Sequence, residues 1–141
     1  MMSRLFIRGQ FRDRPNKLSE LRELGISTVV CVMRRGDPDL VQAANIRYYH
    51  VPLPDARYID APALRKAIIF VEQTLSQGGN VLVHCVSAYN RAPLVAAVVA
   101  ARRLNLTGRE AFDLLRRVRG PVALRNSAIQ SYLLSEEWRN L

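Results

Sequence analysis

Short apolar runs alternate along the chain with longer segments in which apolar residues recur every three to four positions. The short runs are typical of strands in a buried parallel sheet, and the longer segments are typical of amphipathic helices. The strands predicted in this way cover residues 4–8, 26–33, 46–53 and 80–84. The alternation predicts an α/β fold of three layers, in which a largely parallel central sheet is flanked by helices.

Capping residues mark where the predicted helices begin. We expect N-cap side chains at Asn16, Asp60, Thr107 and Asn126, and Glu110 completes a capping box with Thr107. The predicted helices cover residues 16–24, 60–77, 92–104, 107–118 and 126–138, and RRGDPD (34–39) is predicted to be a turn.

Length and composition indicate one globular domain over residues 1–141, with 49% hydrophobic residues and no internal repeat. The N-terminal stretch lacks the apolar core of a secretory signal, and the apolar stretches are too short to span a bilayer. Two cysteines do not make a disulfide framework. We therefore expect a reduced, cytoplasmic protein, and we expect it to be a monomer.

The formal net charge is +9, and all but two of the 21 basic residues are arginine. The planar guanidinium group binds phosphate through two hydrogen bonds, so this excess favours phosphorylated or polyanionic partners. A solvated arginine-rich surface explains the excess equally well. Four arginines gather near the end of one predicted helix, where they suit the helix dipole or could contact phosphate or RNA. They are Arg116, Arg117, Arg119 and Arg125.

The loop after the strand 80–84 carries the candidate chemistry. In HCVSAYNRAP (84–93), five residues separate Cys85 from Arg91, and a helix follows. A short loop of this kind can turn its amides inward as an anion-binding nest, and the helix dipole favours a thiolate at Cys85. With Arg91 gripping two phosphate oxygens, the loop suits phosphoryl transfer to sulfur through a phosphocysteine.

A leaving group also needs a proton, which a carboxylic acid on a nearby loop can supply. Asp55, in VPLPDA, lies on the loop after the preceding predicted strand, thirty positions before Cys85. Asp60 is the rival, but its place before Ala61 and Pro62 is better explained as a helix cap.

The stretch from VPLPDA to VLVHCVSAYNRAP resembles the cysteine-dependent protein tyrosine phosphatase superfamily, and in particular its compact dual-specificity branch. The likeness extends more weakly from ISTVVCVM to GPVALRNSAIQSYL. The resemblance implies that Cys85 is the nucleophile, Arg91 the phosphate clamp, Asp55 the acid and then the base, and His84 a residue that tunes the thiolate through the backbone. It implies no metal and no cofactor. The phosphate-binding loop (P-loop) would comprise Val86, Ser87, Ala88, Tyr89, Asn90 and Arg91.

Two residues depart from the family pattern. The family usually has glycine where this chain has Ala88, and a methyl group there can strain the loop by about 1 kcal/mol. It usually has serine or threonine where this chain has Ala92. That hydroxyl helps the sulfur leave the phosphocysteine, so we expect its loss to slow turnover of the intermediate.

The resemblance implies a phosphatase acting on phosphotyrosine proteins, and a shallow cleft would also admit phosphoserine and phosphothreonine proteins. Asn90-Arg91 is similar to a pair in the RNA 5′-phosphatases and triphosphatases of the superfamily, and phosphoinositides are another substrate class. A weakly active phosphate-binding pseudophosphatase, or a rhodanese-like sulfurtransferase, would also use this loop.

Cys31 is interpreted as a core residue, with a disulfide to Cys85 as the alternative.

Overall fold

The computed structural model describes residues 4–9, 16–41, 45–54, 58–86 and 89–141. Its strands are β1 (Leu5–Arg8), β2 (Ile26–Cys31), β3 (Arg47–His50) and β4 (Asn80–His84). Within the described ranges these strands form one sheet in the order β1-β4-β2-β3, and every pairing is parallel. The predicted parallel α/β fold is confirmed.

In the described ranges one helix separates each strand from the next, and three helices follow β4. The helices are α1 (Lys17–Glu23), α2 (Pro38–Val41), α3 (Ala61–Ser76), α4 (Arg91–Leu104), α5 (Gly108–Arg119) and α6 (Ser127–Ser135), followed by a 3-10 turn over Glu137–Asn140. None of these helices is both long and apolar enough to cross a lipid bilayer.

Helices cover both faces of the sheet, as the residues of β4 show. Leu82 packs with Leu21 of α1 and Leu40 of α2, whereas Val81 and Val83 point to the opposite face and pack in a core with α3 and α4. This alternation follows from the two-residue period of a strand. The three predicted layers are therefore present.

Three predicted helix caps are confirmed. The carboxylate of Asp60 accepts a hydrogen bond from the amide of Ala63 at 3.1 Å. Thr107 and Glu110 exchange both hydrogen bonds of a capping box at the start of α5. The side chain of Asn126 accepts from two amides in the first turn of α6. These local bonds fix where the helices that flank the sheet begin.

Other local predictions need correction. Asn16 precedes α1, but its side chain makes no capping hydrogen bond in the described part of the chain, because its backbone (φ −104°, ψ 19°) is not extended. The predicted strand 46–53 is confirmed only as β3, because the register is lost beyond His50: the amides of Val51 and Leu53, two residues apart, donate to the carbonyls of the adjacent residues Cys31 and Val32. The predicted turn 34–39 contains the beginning of α2, whose amides at Asp39 and Leu40 donate to the carboxylate of Asp37.

The last predicted helix is also shorter than expected. It ends at Ser135, because Glu136 adopts a left-handed conformation with φ 63°. The indole of Trp138 is buried and donates a hydrogen bond to the carbonyl of Leu133 at 2.8 Å. Burial of this large aromatic ring against the core therefore turns the chain before Trp138 is reached.

Candidate active site

Cys85 follows β4 directly, at the edge of the sheet where the parallel strands have their carboxyl ends. Its amide donates a hydrogen bond to the carbonyl of Arg8, at the end of β1, at 3.2 Å. The residue is 2% exposed and packs in the same core as Val81 and Val83. Ligands of open parallel sheets bind at this edge, so the sulfur lies where the sequence predicted the chemistry.

Arg91 is the first residue of α4 and is only 6% exposed. Its Nη1 atom donates to the carbonyl oxygen of Leu53 at 3.4 Å. Leu53 in turn donates its amide to the carbonyl of Val32 at 3.1 Å, which ties this segment to the end of β2. The guanidinium group thus contacts the backbone just before Pro54 and Asp55. Sequence reasoning did not foresee this contact, because nothing local to either segment indicates it.

The P-loop residues next to Arg91 are held by the connection between α5 and α6. The amide of Leu124 donates to the carbonyl of Tyr89 at 2.7 Å, and the amide of Asn126 donates to Oδ1 of Asn90 at 2.9 Å. The guanidinium carbon of Arg119 lies 4.4 Å from the centroid of the Tyr89 ring. The side chain of Asn90 therefore holds the loop against the segment that contains Asn126. The backbone of Asn90 remains the part of this residue that is suited to binding phosphate.

Three of the predicted site residues lie outside the described ranges. These are Asp55, Ser87 and Ala88. Their proposed roles therefore stay predictions. Asp60, the rival of Asp55, caps α3 as described above, which agrees with the interpretation given to it from the sequence. Val86, at the beginning of the loop, is exposed.

His84 is fully buried, and its backbone carbonyl accepts a hydrogen bond from the amide of Val32 at 3.0 Å. Burial lowers the pKa of the imidazole to about 4, and nearby Asp37 opposes that shift while Arg8, His50 and Lys17 add to it. The side chain is therefore neutral near pH 7. Because side chains alternate along a strand, it lies on the opposite face of the sheet from Cys85. An effect of His84 on the sulfur would therefore act through the backbone, and this role stays a prediction.

The depressed pKa of His84 predicts a pH-dependent stability. The folded-state pKa of about 4 lies below the ordinary value of 6.5. The contribution of neutral His84 is thus fully present above pH 6.5 and is lost as the pH falls towards 4. Over that window we expect a loss of about 3 kcal/mol in unfolding free energy. Urea denaturation across the window measures it.

A variant comparison isolates this effect from the titration of carboxyl groups. His84→Gln removes the buried imidazole and leaves every carboxyl group of the chain in place. We expect the pH dependence of unfolding free energy to be flatter in His84→Gln than in wild type. Equal slopes in wild type and His84→Gln would show that the imidazole does not titrate as described.

Cys31 lies opposite His84 in the register of β2 and β4 and so shares its face of the sheet. Its thiol is fully buried and donates weakly to the carbonyl of Arg35 at 3.7 Å. Burial raises the pKa of the Cys31 thiol, although a hydrogen bond with Tyr48 opposes the shift. These contacts agree with a core residue. The alternative interpretation, a disulfide between Cys31 and Cys85, stays a prediction. It is disfavoured because the two side chains lie on opposite faces of the sheet.

Ala92 is fully buried in the first turn of α4 and packs in the same core as Cys85. Its methyl group carries no hydrogen-bond donor that could stabilise a departing thiolate. The site thus combines a buried sulfur, a buried guanidinium group and the beginning of a fourteen-residue helix. Together they can hold an anion and carry out attack by sulfur.

Comparison with known proteins shows which family this chain resembles. A family model described as dual specificity phosphatase, catalytic domain, matches residues 11–138. Human dual specificity protein phosphatase 9 is 27% identical over 121 residues, which are 82% of this chain and 30% of that protein. The chain thus spans less than a third of the length of this relative.

Solved structures agree on the fold. A kinase associated phosphatase carrying serine in place of its catalytic-site cysteine superimposes with a TM-score of 0.81 and 23% identity, covering 96% of this chain and 85% of that one. The structure of Tk-PTP in its active form has a TM-score of 0.78 and 22% identity, covering 99% and 94%. At such identities the likeness concerns the fold.

Proposed function

The chain belongs to the family of dual specificity phosphatase catalytic domains, and on that basis we propose that it hydrolyses phosphate monoesters through a phosphocysteine. The observation that carries the proposal is the placing of Cys85 and Arg91. Both are buried, one at the end of β4 and the other at the beginning of α4, on either side of a loop of five residues. In this proposal residues 1–141 act as one catalytic domain.

In the first step the sulfur of Cys85 attacks phosphorus. An S–P bond forms, the P–O bond to the leaving group breaks, and the leaving oxygen takes a proton from Asp55. The guanidinium group of Arg91 stabilises the charge on the phosphoryl oxygens as it develops. Its hydrogen bond to the carbonyl of Leu53 is long, at 3.4 Å, so replacing that one bond by a bond to a phosphate oxygen costs little.

In the second step water attacks the phosphorus of the phosphocysteine. Asp55, now a carboxylate, takes a proton from the water, and the S–P bond breaks to return the thiolate and release phosphate. The departing sulfur is stabilised by the dipole of α4. Ala92 supplies no hydroxyl to it, and we therefore expect this step to limit turnover.

We propose phosphotyrosine proteins as the first substrate class, with phosphoserine and phosphothreonine proteins as further substrates. An RNA 5′-phosphatase is less well supported, because the Asn90 side chain that suggested it bonds to the amide of Asn126. Phosphoinositides remain a candidate substrate. A weakly active phosphate-binding protein is the second candidate function, and the lack of a hydroxyl at Ala92 favours it.

A substrate panel tests the proposal. Phosphate release from a phosphotyrosine peptide, a phosphoserine peptide, a short-chain phosphoinositide and a 5′-triphosphorylated RNA would be compared at equal concentration. We expect kcat/KM to be highest for the phosphotyrosine peptide. A higher kcat/KM for the RNA would instead indicate an RNA 5′-phosphatase. If the protein bound phosphate but released none from any substrate, the second candidate function would be supported.

Restoring a hydroxyl beside the sulfur should speed the second step. For Ala92→Ser we expect a steady-state kcat about tenfold higher, because a hydrogen bond to a charged group stabilises the departing thiolate. The rate of the first step should change little. Ala96→Ser, one turn later on the same buried helix face, is the matched control. A slower Ala92→Ser enzyme, or an equal gain in the control, would contradict the role assigned to this position.

A further inference from the structure

A groove of about 790 Å³ lies beside α5, and neither Cys85 nor Arg91 lines it. Its apolar lining comes from the end of α4, the link to α5, α5 itself and the turn that follows. These residues are Leu104, Leu106, Leu114 and Pro121. Leu104 is 62% exposed. The groove therefore offers apolar surface to a partner, apart from the site described above.

The charged residues that line the groove are separated along α5. Glu110 and Asp113 lie in the first half of the helix, and Arg116 and Arg117 lie in the second half. Asp113 pairs with Arg109 at 3.4 Å, but no ion pair within the described ranges involves Glu110 or Arg117. These two residues are seven positions apart and so lie on one face of the helix. An acid and an arginine thus remain available to a partner, towards opposite ends of α5.

A second copy of the chain carries the complementary charges. When two identical helices pack antiparallel about a two-fold axis, the beginning of each helix meets the end of the other. An axis near Leu114 brings Glu110 of each copy opposite Arg117 of the other, because the two residues lie about equally far on either side of it. Such an interface contains two equivalent ion pairs.

The same arrangement matches exposed apolar side chains. Val118 is 72% exposed and lies four residues after Leu114, so the two are neighbours on the surface of α5. In the antiparallel pair, Val118 lies beside the beginning of the other copy's α5. The groove is lined there by Leu104 and Leu106, which precede that helix. Each valine would therefore enter the opposite groove and lose contact with water.

Other occupants fit the groove less well. The phosphates of a nucleic acid would be repelled by Glu110 and Asp113, and a peptide of uniform charge would meet like charge at one end of α5. We propose that the chain forms a symmetric dimer in which the α5 helices pack antiparallel, with Val118 in the opposite groove and Glu110 paired with Arg117. The dimer does not depend on the proposed catalytic activity, and it replaces the monomer expected from the sequence.

Sedimentation velocity over a concentration series tests the proposal. One helix and one groove per copy make a small interface, so we expect a dissociation constant on the order of 10 μM, with weaker association at high salt. Val118→Ser should weaken the dimer about tenfold, because two valines lose their apolar contacts. Its side chain is exposed, so the fold should be retained. A wild-type protein that stays monomeric up to about 1 mM would overturn the proposal.

A mixture of two variants tests the ion pairs themselves. Arg117→Glu and Glu110→Lys each place like charges opposite one another, so each variant alone should be mostly monomeric. In the mixture, one copy is acidic at both positions and the other is basic at both, so we expect heterodimers of nearly wild-type affinity. Two folded variants that form no heterodimer would contradict the antiparallel arrangement.

Two controls accompany the mixture. Arg65→Glu makes the same charge change on an exposed position of α3, and it should dimerise as wild type does. An equal loss in Arg65→Glu would show that net charge controls association and would overturn the proposal. Thermal unfolding checks the fold of Glu110→Lys, which loses half of the capping box of α5. If that variant unfolds, an unchanged dimer in both Val118→Ser and Arg117→Glu would still refute the interface.

Discussion

Cys85→Ser is expected to lower kcat for hydrolysis of an aryl phosphate by at least about 10⁴-fold, because a serine hydroxyl is a much weaker nucleophile than the sulfur of cysteine. The side chain is buried, and serine is close to cysteine in size, so the fold should be retained. Steady-state kinetics measure the loss, and thermal unfolding checks the fold.

The other cysteine provides the control for this substitution. Cys31→Ser removes a thiol that is equally buried but shares its face of the sheet with His84. We expect its kcat to stay within a few-fold of the wild-type value. If Cys31→Ser lost activity and Cys85→Ser kept it, the assignment of the nucleophile would be wrong.

Asp55→Asn should show the second largest effect, a loss of about 10²–10⁴-fold in kcat for a phosphotyrosine peptide. The loss should be much smaller for a phosphate ester whose leaving group is already stable as an anion, because such a group needs no proton. The alkaline limb of the pH–rate profile for the peptide should also disappear. Comparing the two substrates across a pH series measures both effects.

Asp60 is the matched carboxylate for this test. Its side chain accepts a hydrogen bond from the amide of Ala63, so Asp60→Asn should mainly affect the stability of α3, by at most about 1 kcal/mol. Its kcat should depend on the leaving group as in wild type. A leaving-group dependence that changes in Asp60→Asn and not in Asp55→Asn would transfer the acid role to Asp60.

Much of the fold was predictable because its signals are local. The unit from β4 to α4 illustrates this, since Gly78 and Gly79 end the preceding helix and the apolar run that follows matches β4 residue for residue. The start of α4 differs from the prediction by one residue. The caps at Asp60 and Thr107 likewise depend on residues within one helical turn.

The parts that sequence reasoning missed depend on contacts between distant residues. Arg91 contacts Leu53, 38 positions away, and Asn90 contacts Asn126, 36 positions away. Strand order brings these segments together, and no local pattern encodes it. Similarly, α6 ends early because Trp138 is buried against the core, which overrides the helical periodicity of the sequence.

The central claim is that Cys85 becomes phosphorylated during turnover, and rapid mixing tests it most directly. Wild type and Cys85→Ser would be mixed with an aryl phosphate, quenched in acid within milliseconds, and analysed for released product and for phosphate on the peptide containing Cys85. The account predicts a burst of about one product per enzyme and a phosphorylated Cys85 in wild type, with neither in the variant. Product release without phosphate on Cys85, or a burst that persists in Cys85→Ser, would contradict it.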